Sequence, residues 1–256
     1  MKQSRVPQKR IFLALCLFVL AVLQKPAFGQ RNILSKAFTQ TLLQDKLTNI
    51  AAWRLEQKNS YLQKVAALPE AVKERLVKEG DRGLQYEWPA LPASLYLDYK
   101  ITGTRYNFER KNNERRKVLN ELAVAAIITK DKKYIAQIAN GIWTLCEQTT
   151  WVLPAHIVVQ KEKTGLPDPY EVVIDLGSGT AAAQLSMIQF MLSEELDAYS
   201  KGIGKRVFAE LNKRIFQPYL TRTDFWWMGF TGQPVNNWNP WVNTNVLMTA
   251  LYSELK

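Results

Sequence analysis

The chain has 256 residues, 47% hydrophobic and 22% charged, which excludes a disordered chain and allows one substantial core or two small ones. Lysine and arginine number 34 against 23 acidic residues, a formal net charge of +11. Two cysteines exclude a disulfide-rich scaffold, and a single histidine leaves no metal-ligand cluster of the usual spacing.

Residues 1–29 read as a signal peptide. Lys2, Arg5, Lys9 and Arg10 form a positive region before the apolar run Ile11–Leu23, and Ala27-Phe28-Gly29 supplies small residues around a cut before Gln30. The run is short for a bilayer span, so an uncleaved anchor is the weaker alternative, and Leu15 before Cys16 disfavours lipidation. The expectation is an exported protein, periplasmic or extracellular, with no stable membrane insertion after cleavage. Five of the 34 basic residues leave with the leader, so the mature part carries +6, and Cys146 has no cysteine partner there. Among apolar neighbours Cys146 reads as a core residue. The modest positive charge suits an acidic polysaccharide, although solvated helix surface would give the same balance. No basic stripe of the kind that tracks phosphates is present, and no nucleic-acid partner is expected.

From Ile33 to Leu68 the apolar positions recur at helical spacing, which predicts one or two helices. Pro69-Glu70-Ala71 starts a short helix that Gly80 is expected to end. Leu84–Leu97, with two prolines and several aromatics, is expected to be extended. Asn107–Thr129 and Tyr134–Glu147 each carry an apolar stripe, and the short turn Lys130-Asp131-Lys132 between them predicts an antiparallel helical hairpin. A second hairpin is expected over Ser178–Ser200 and Ile203–Tyr219, split at Gly202 and Gly204. A last helix starts near Pro240 and is expected to run on to Lys256. Only Ile157–Val159 and Val172–Ile174 have any strand character, which argues against a parallel sheet.

Val173–Thr180, VIDLGSGT, looks like the glycine-rich first motif of cofactor-dependent methyltransferases. Such loops need further βα units, whereas helices and an aromatic loop follow here. Asp175 or Ser178 therefore reads as a helix cap, with the glycines serving close packing, and neither nucleotide nor cofactor is expected. His156 is a candidate general base or hydrogen-bond donor, against the commoner role of a structural histidine.

The stretch Asp224–Asn245, DFWWMGFTGQPVNNWNPWVNTN, concentrates four of the eight tryptophans with many asparagines and almost no charge. Indole and amide edges are costly to bury without partners, so these residues either line a carbohydrate cleft or pack under their own helices.

The ordered series WTLCEQTTWVLPAH, IDLGSGTAAAQL, DFWWMGF and NNWNPWVNTN resembles the N-terminal half of heparinase II/III-like polysaccharide lyases, from about Thr104 onward. The resemblance implies an all-α fold, an incomplete (α/α) toroid of antiparallel helical hairpins over residues 30–256, lacking the family's C-terminal β-sandwich domains. It implies β-elimination on uronic-acid polysaccharides of the heparan or another acidic type. Asn236 and Asn237 would then neutralise the substrate carboxylate, with His156 as a further candidate, while Trp226, Trp227, Trp238, Asn239 and Trp241 bind sugar. The family's tyrosine and histidine bases match nothing in this chain, so weak or no turnover is expected of it alone. Two alternatives are a helical-toroid glycoside hydrolase, for which Asp168, Asp175 and Asp224 are the loop carboxylates, and a non-catalytic acidic-glycan-binding protein.

Overall fold

The computed structural model describes residues 49–253. The candidate leader and residues 30–48, which include the start of the first expected helical region, lie outside them, as do the last three residues. The described residues form ten α-helices and no strand, so the chain is all-α. The helices are α1 (Ile50–Ala66), α2 (Glu70–Gly83), α3 (Ala93–Thr102), α4 (Tyr106–Thr129) and α5 (Ile135–Glu147). They continue with α6 (Leu176–Met191), α7 (Ser193–Tyr199), α8 (Lys201–Leu211), α9 (Gln217–Thr221) and α10 (Trp238–Tyr252).

The expected hairpin is α4 and α5. Leu119, Leu122, Ala123 and Ala126 on α4, and Ile138, Ile142, Leu145 and Cys146 on α5, are buried. Lys130 reverses the chain in the left-handed conformation, and the Asp131 carboxylate caps the next turn by accepting from Lys133 N. Arg115 Nη2 donates to Thr144 O at 3.0 Å, which sets the two helices antiparallel. Cys146 is fully buried, and burial pushes its thiol up to about 12.

Gly80 does not end α2, which continues to Gly83. It lies where α2 and α4 cross most closely: a Cβ there would meet Ala125 Cβ at 2.3 Å and Glu121 O at 2.8 Å. Helix propensity is a weak prior that such packing overrides. Gly80→Val is expected to destabilise by about 1–3 kcal/mol through overpacking, read as a lower denaturant midpoint at unchanged slope; a neutral result would mean that the α2–α4 contact gives way easily.

Other boundaries also move. Leu84–Pro92 is irregular as expected, but α3 begins at Ala93 directly after Pro92, within the stretch expected to be extended. The second hairpin breaks at Leu192 and Ser200, and α8 contains both Gly202 and Gly204. The break falls at Ser200 because its hydroxyl caps α8 by accepting from Gly202 N. Ile157–Val159 belongs to a 3-10 turn, and Val172–Ile174 is irregular. The last helix stops at Tyr252, with Ser253 extended.

Helices α6 and α10 run parallel, as the contacts Thr180 to Trp241 and Phe190 to Tyr252 show. Gly179 allows the approach, since a Cβ there would lie 3.3 Å from Asn245 Cβ. Helix α1 closes the far end: Arg54 donates to Tyr252 O and Ser253 O, and the Tyr61 and Tyr252 hydroxyls are 2.9 Å apart. None of the described helices is long and apolar enough to cross a membrane.

Candidate functional site

The start of α6 organises the region. Asp175 is its N-cap and has no exposed surface. Its Oδ1 accepts from Ser178 N at 2.7 Å and Ser178 Oγ at 2.6 Å, while Oδ2 accepts from Leu153 N at 3.1 Å. His156 Nδ1 lies 2.8 Å from Oδ2. A carboxylate only accepts, so Nδ1 carries the hydrogen and Nε2 is the nitrogen left for other chemistry. Of the two caps expected, Asp175 or Ser178, Asp175 is the N-cap, and it also orients the histidine.

The aromatic segment is laid down on this base. Arg222 pairs with Asp224 at 2.7 Å and with Glu171 at 3.2 Å, and it lies over the Phe225 ring. That pairing holds the Asp224 carboxyl below its usual range. Trp227 is fully buried, donates from Nε1 to Ile174 O and stacks on Phe225. Its ring offers no face to a sugar; it anchors the segment. Asn239 has a similar task, its Nδ2 donating to Trp227 O at 2.9 Å. Gly229 and Gly232, both at positive φ, carry the chain around to α10.

Trp238 is half-buried between two rings, His156 at 4.6 Å and Trp226 at 5.3 Å. Trp241, one helical turn on, is 52% exposed and fixed at its edge by Nε1 donating to Thr180 Oγ1. Asn236 Oδ1 accepts from Trp238 N, and Asn236 O from Asn239 N. Pro240 has no N–H, so the first turn of α10 leaves no free backbone donor for an anion. The Asn237 side chain is exposed and makes no hydrogen bond to another described residue.

One residue was not singled out from sequence. Arg116 on α4 donates from Nε to Gln184 Oε1 at 2.8 Å, one turn along α6 from the Thr180 that holds Trp241. Burial lowers its pKa, while the Asp175 charge acts in the opposite direction. Arginine stays protonated through such shifts, and its two terminal nitrogens make no hydrogen bond to another described residue.

The structure thus brings His156, Trp226 and Trp238 into ring contact, fixes Trp241 and Arg116 to successive turns of α6, leaves the Asn236–Asn237 pair next to Trp238 in the chain, and commits Trp227 and Asn239 to holding the scaffold. Of the hydrolase carboxylates, Asp175 is buried and saturated, Asp224 is paired with Arg222, and Asp168 accepts from Tyr170 N. No group of three or more His, Cys, Asp or Glu able to hold a metal ion occurs among the described residues. No protein-family model matches the chain, and no curated protein matches it.

Proposed function

We propose that this region is the carboxylate-recognising wall of an acidic-glycan cleft in an exported, polysaccharide lyase-like protein, with the helices as part of an (α/α) toroid. The observation that carries the proposal is that helix α6 links these groups: Asp175 at its start holds His156 against Trp238, Thr180 holds the exposed Trp241 ring, and Gln184 holds the Arg116 guanidinium, with the uncommitted Asn237 amide next to Trp238 in the chain. Flat rings suit sugar faces, while preorganised amides and a cation suit a uronate carboxylate.

In β-elimination a base removes the C5 proton, the C5–H electron pair becomes the C4=C5 double bond, and the C4–O bond breaks with its pair on the leaving oxygen, which is then protonated. Charge builds on the carboxylate as the proton leaves, so donors fixed before the reaction lower the barrier most. Asn237, Asn236 and Arg116 take that role in the proposal. His156, steered through Nδ1 by Asp175, places Nε2 to bind or move a proton.

Incubating the full chain with heparan-, chondroitin- and alginate-type polysaccharides and following the ultraviolet absorbance of an unsaturated uronate tests this. Activity that Asn237→Ala lowers by about two orders of magnitude in kcat, with a smaller change in KM, supports the elimination role. Binding without the chromophore, reduced by Asn237→Ala in affinity, would support recognition of the glycan without elimination by this chain alone. Cleavage into saturated ends would make the protein a hydrolase.

A further inference from the structure

A second concavity lies behind the segment that leads from α5 to His156. It has a volume of about 560 Å³ and is walled by Trp88, Tyr96 and Phe108, with Arg115, Gln148 and Thr149 among its polar lining. Its outer side is held in place by Arg214, which donates to Gln148 O at 2.7 Å and to Thr149 O at 3.3 Å. Tyr96 ties the aromatic wall to the same segment by donating to Val152 O.

Arg115 is the anomaly. It is only 2% exposed, yet it forms no ion pair with any described carboxylate, and its one side-chain hydrogen bond runs from Nη2 to Thr144 O. Nε is buried without a partner, and so is Gln148 Oε1 in the same lining. A buried guanidinium is normally matched by an acid, because taking an unpaired charge out of water is costly. Burial accordingly lowers its pKa, and the one ionisable group opposing that shift is the Tyr86 phenol. Glu147 also lines the cavity, but it is exposed and its Oε1 accepts from Trp143 Nε1, away from the buried cation.

The cavity lining defines a ligand: an anionic group for the part of Arg115 that faces the cavity, a hydroxyl for the Gln148 amide, and a flat carbon face for the aromatic walls, while Arg115 Nε and Gln148 Oε1 stay closed to it. A volume of about 560 Å³ exceeds what one sugar ring needs and falls within the usual range of ligand pockets. We propose that this cavity is a second ligand site, separate from the Trp241 wall, that takes a hydroxylated carboxylate of one sugar ring, of the uronate type, with its carboxylate on Arg115. None of its residues belongs to the proposed cleft, so it stands whether or not that cleft binds glycan.

The test is calorimetric titration of the full chain with D-glucuronate and, separately, with D-glucose. Saturable glucuronate binding is expected, with glucose weaker by about tenfold or more. Titrated in the Arg116→Gln, Asn237→Ala background, where the proposed cleft no longer holds a carboxylate, Arg115→Met, which removes the buried charge at similar length, should weaken glucuronate about ten- to hundredfold. If Arg115→Met does not fold, Gln148→Leu replaces it and should weaken both sugars severalfold. In that background, no saturation, equal affinity for the two sugars, or binding unaffected by the substituted cavity residue would each overturn the proposal.

Discussion

Asp175→Ala is expected to lower the stability of the fold by about 3–5 kcal/mol and the melting temperature by roughly 10 °C, the largest structural effect of any single substitution near the site. The carboxylate has no exposed surface and takes four hydrogen bonds, from Leu153 N, His156 Nδ1, Ser178 N and Ser178 Oγ. Alanine leaves two backbone donors without acceptors, removes the N-cap of α6 and frees the histidine ring. The damage spreads, because α6 packs along α10 and also meets α4 through Gln184. Asp175→Asn keeps one acceptor oxygen and should fall between the two. Ser178→Ala loses only the hydroxyl contact and should cost about 1 kcal/mol. Thermal and denaturant unfolding measure all three; an Asp175→Ala protein within about 1 kcal/mol of the wild type would show that the four bonds are not the anchor.

Arg116→Gln is expected to weaken binding of acidic polysaccharide about ten- to hundredfold while changing stability by about 1 kcal/mol or less. Glutamine retains polar contact with Gln184 but removes the charge, and the guanidinium has no acidic hydrogen-bond partner to leave behind. Its side chain is partly buried, so an interaction with a substrate carboxylate there is screened less than one at the surface. Trp241→Ala provides the contrast: it removes an exposed ring and should weaken neutral and acidic glycans alike. Affinity chromatography or calorimetry on matched acidic and neutral polysaccharides separates the two effects. Equal loss for both glycans in Arg116→Gln would remove the arginine from carboxylate recognition.

The helical class and the α4–α5 hairpin were legible because their apolar residues repeat at 3.6 and the turn between them is too short for any arrangement but antiparallel. The Asp175 cap was legible too, since aspartate three residues before Ser178 is a local signal that needs no tertiary partner. Glycine was the unreliable sign. Gly80, Gly202 and Gly204 all lie inside helices, and at Gly80 the reason is the close approach of another helix, which no local rule contains.

The site divided along the same line. Trp226 and Trp227 are adjacent and chemically identical, yet one is half-buried on Trp238 and the other fully buried on Ile174 O and Phe225. Their irregular segment has no period from which to assign a face. Arg116 was hidden in the charged run Glu114-Arg115-Arg116-Lys117, where neighbouring arginines turn toward different surroundings. Arg115 goes to Thr144 O on α5, and Arg116 to Gln184 on α6. A stripe of Arg116, Asn120, Ala123 and Ile127 along α4 was the available hint, because it places two polar residues in line with small and apolar ones.

The wall formed by Trp241, Asn237 and Arg116 is proposed to recognise a uronate carboxylate. The measurement that reaches it most directly is the affinity of the full chain for one acidic polysaccharide before and after chemical reduction of its carboxylates to alcohols, which keeps the sugar rings and removes the charge. Reduction is expected to weaken binding at least about tenfold, and the difference should largely disappear in Arg116→Gln combined with Asn237→Ala. Equal affinity of the wild-type protein for the native and the reduced polysaccharide would contradict it.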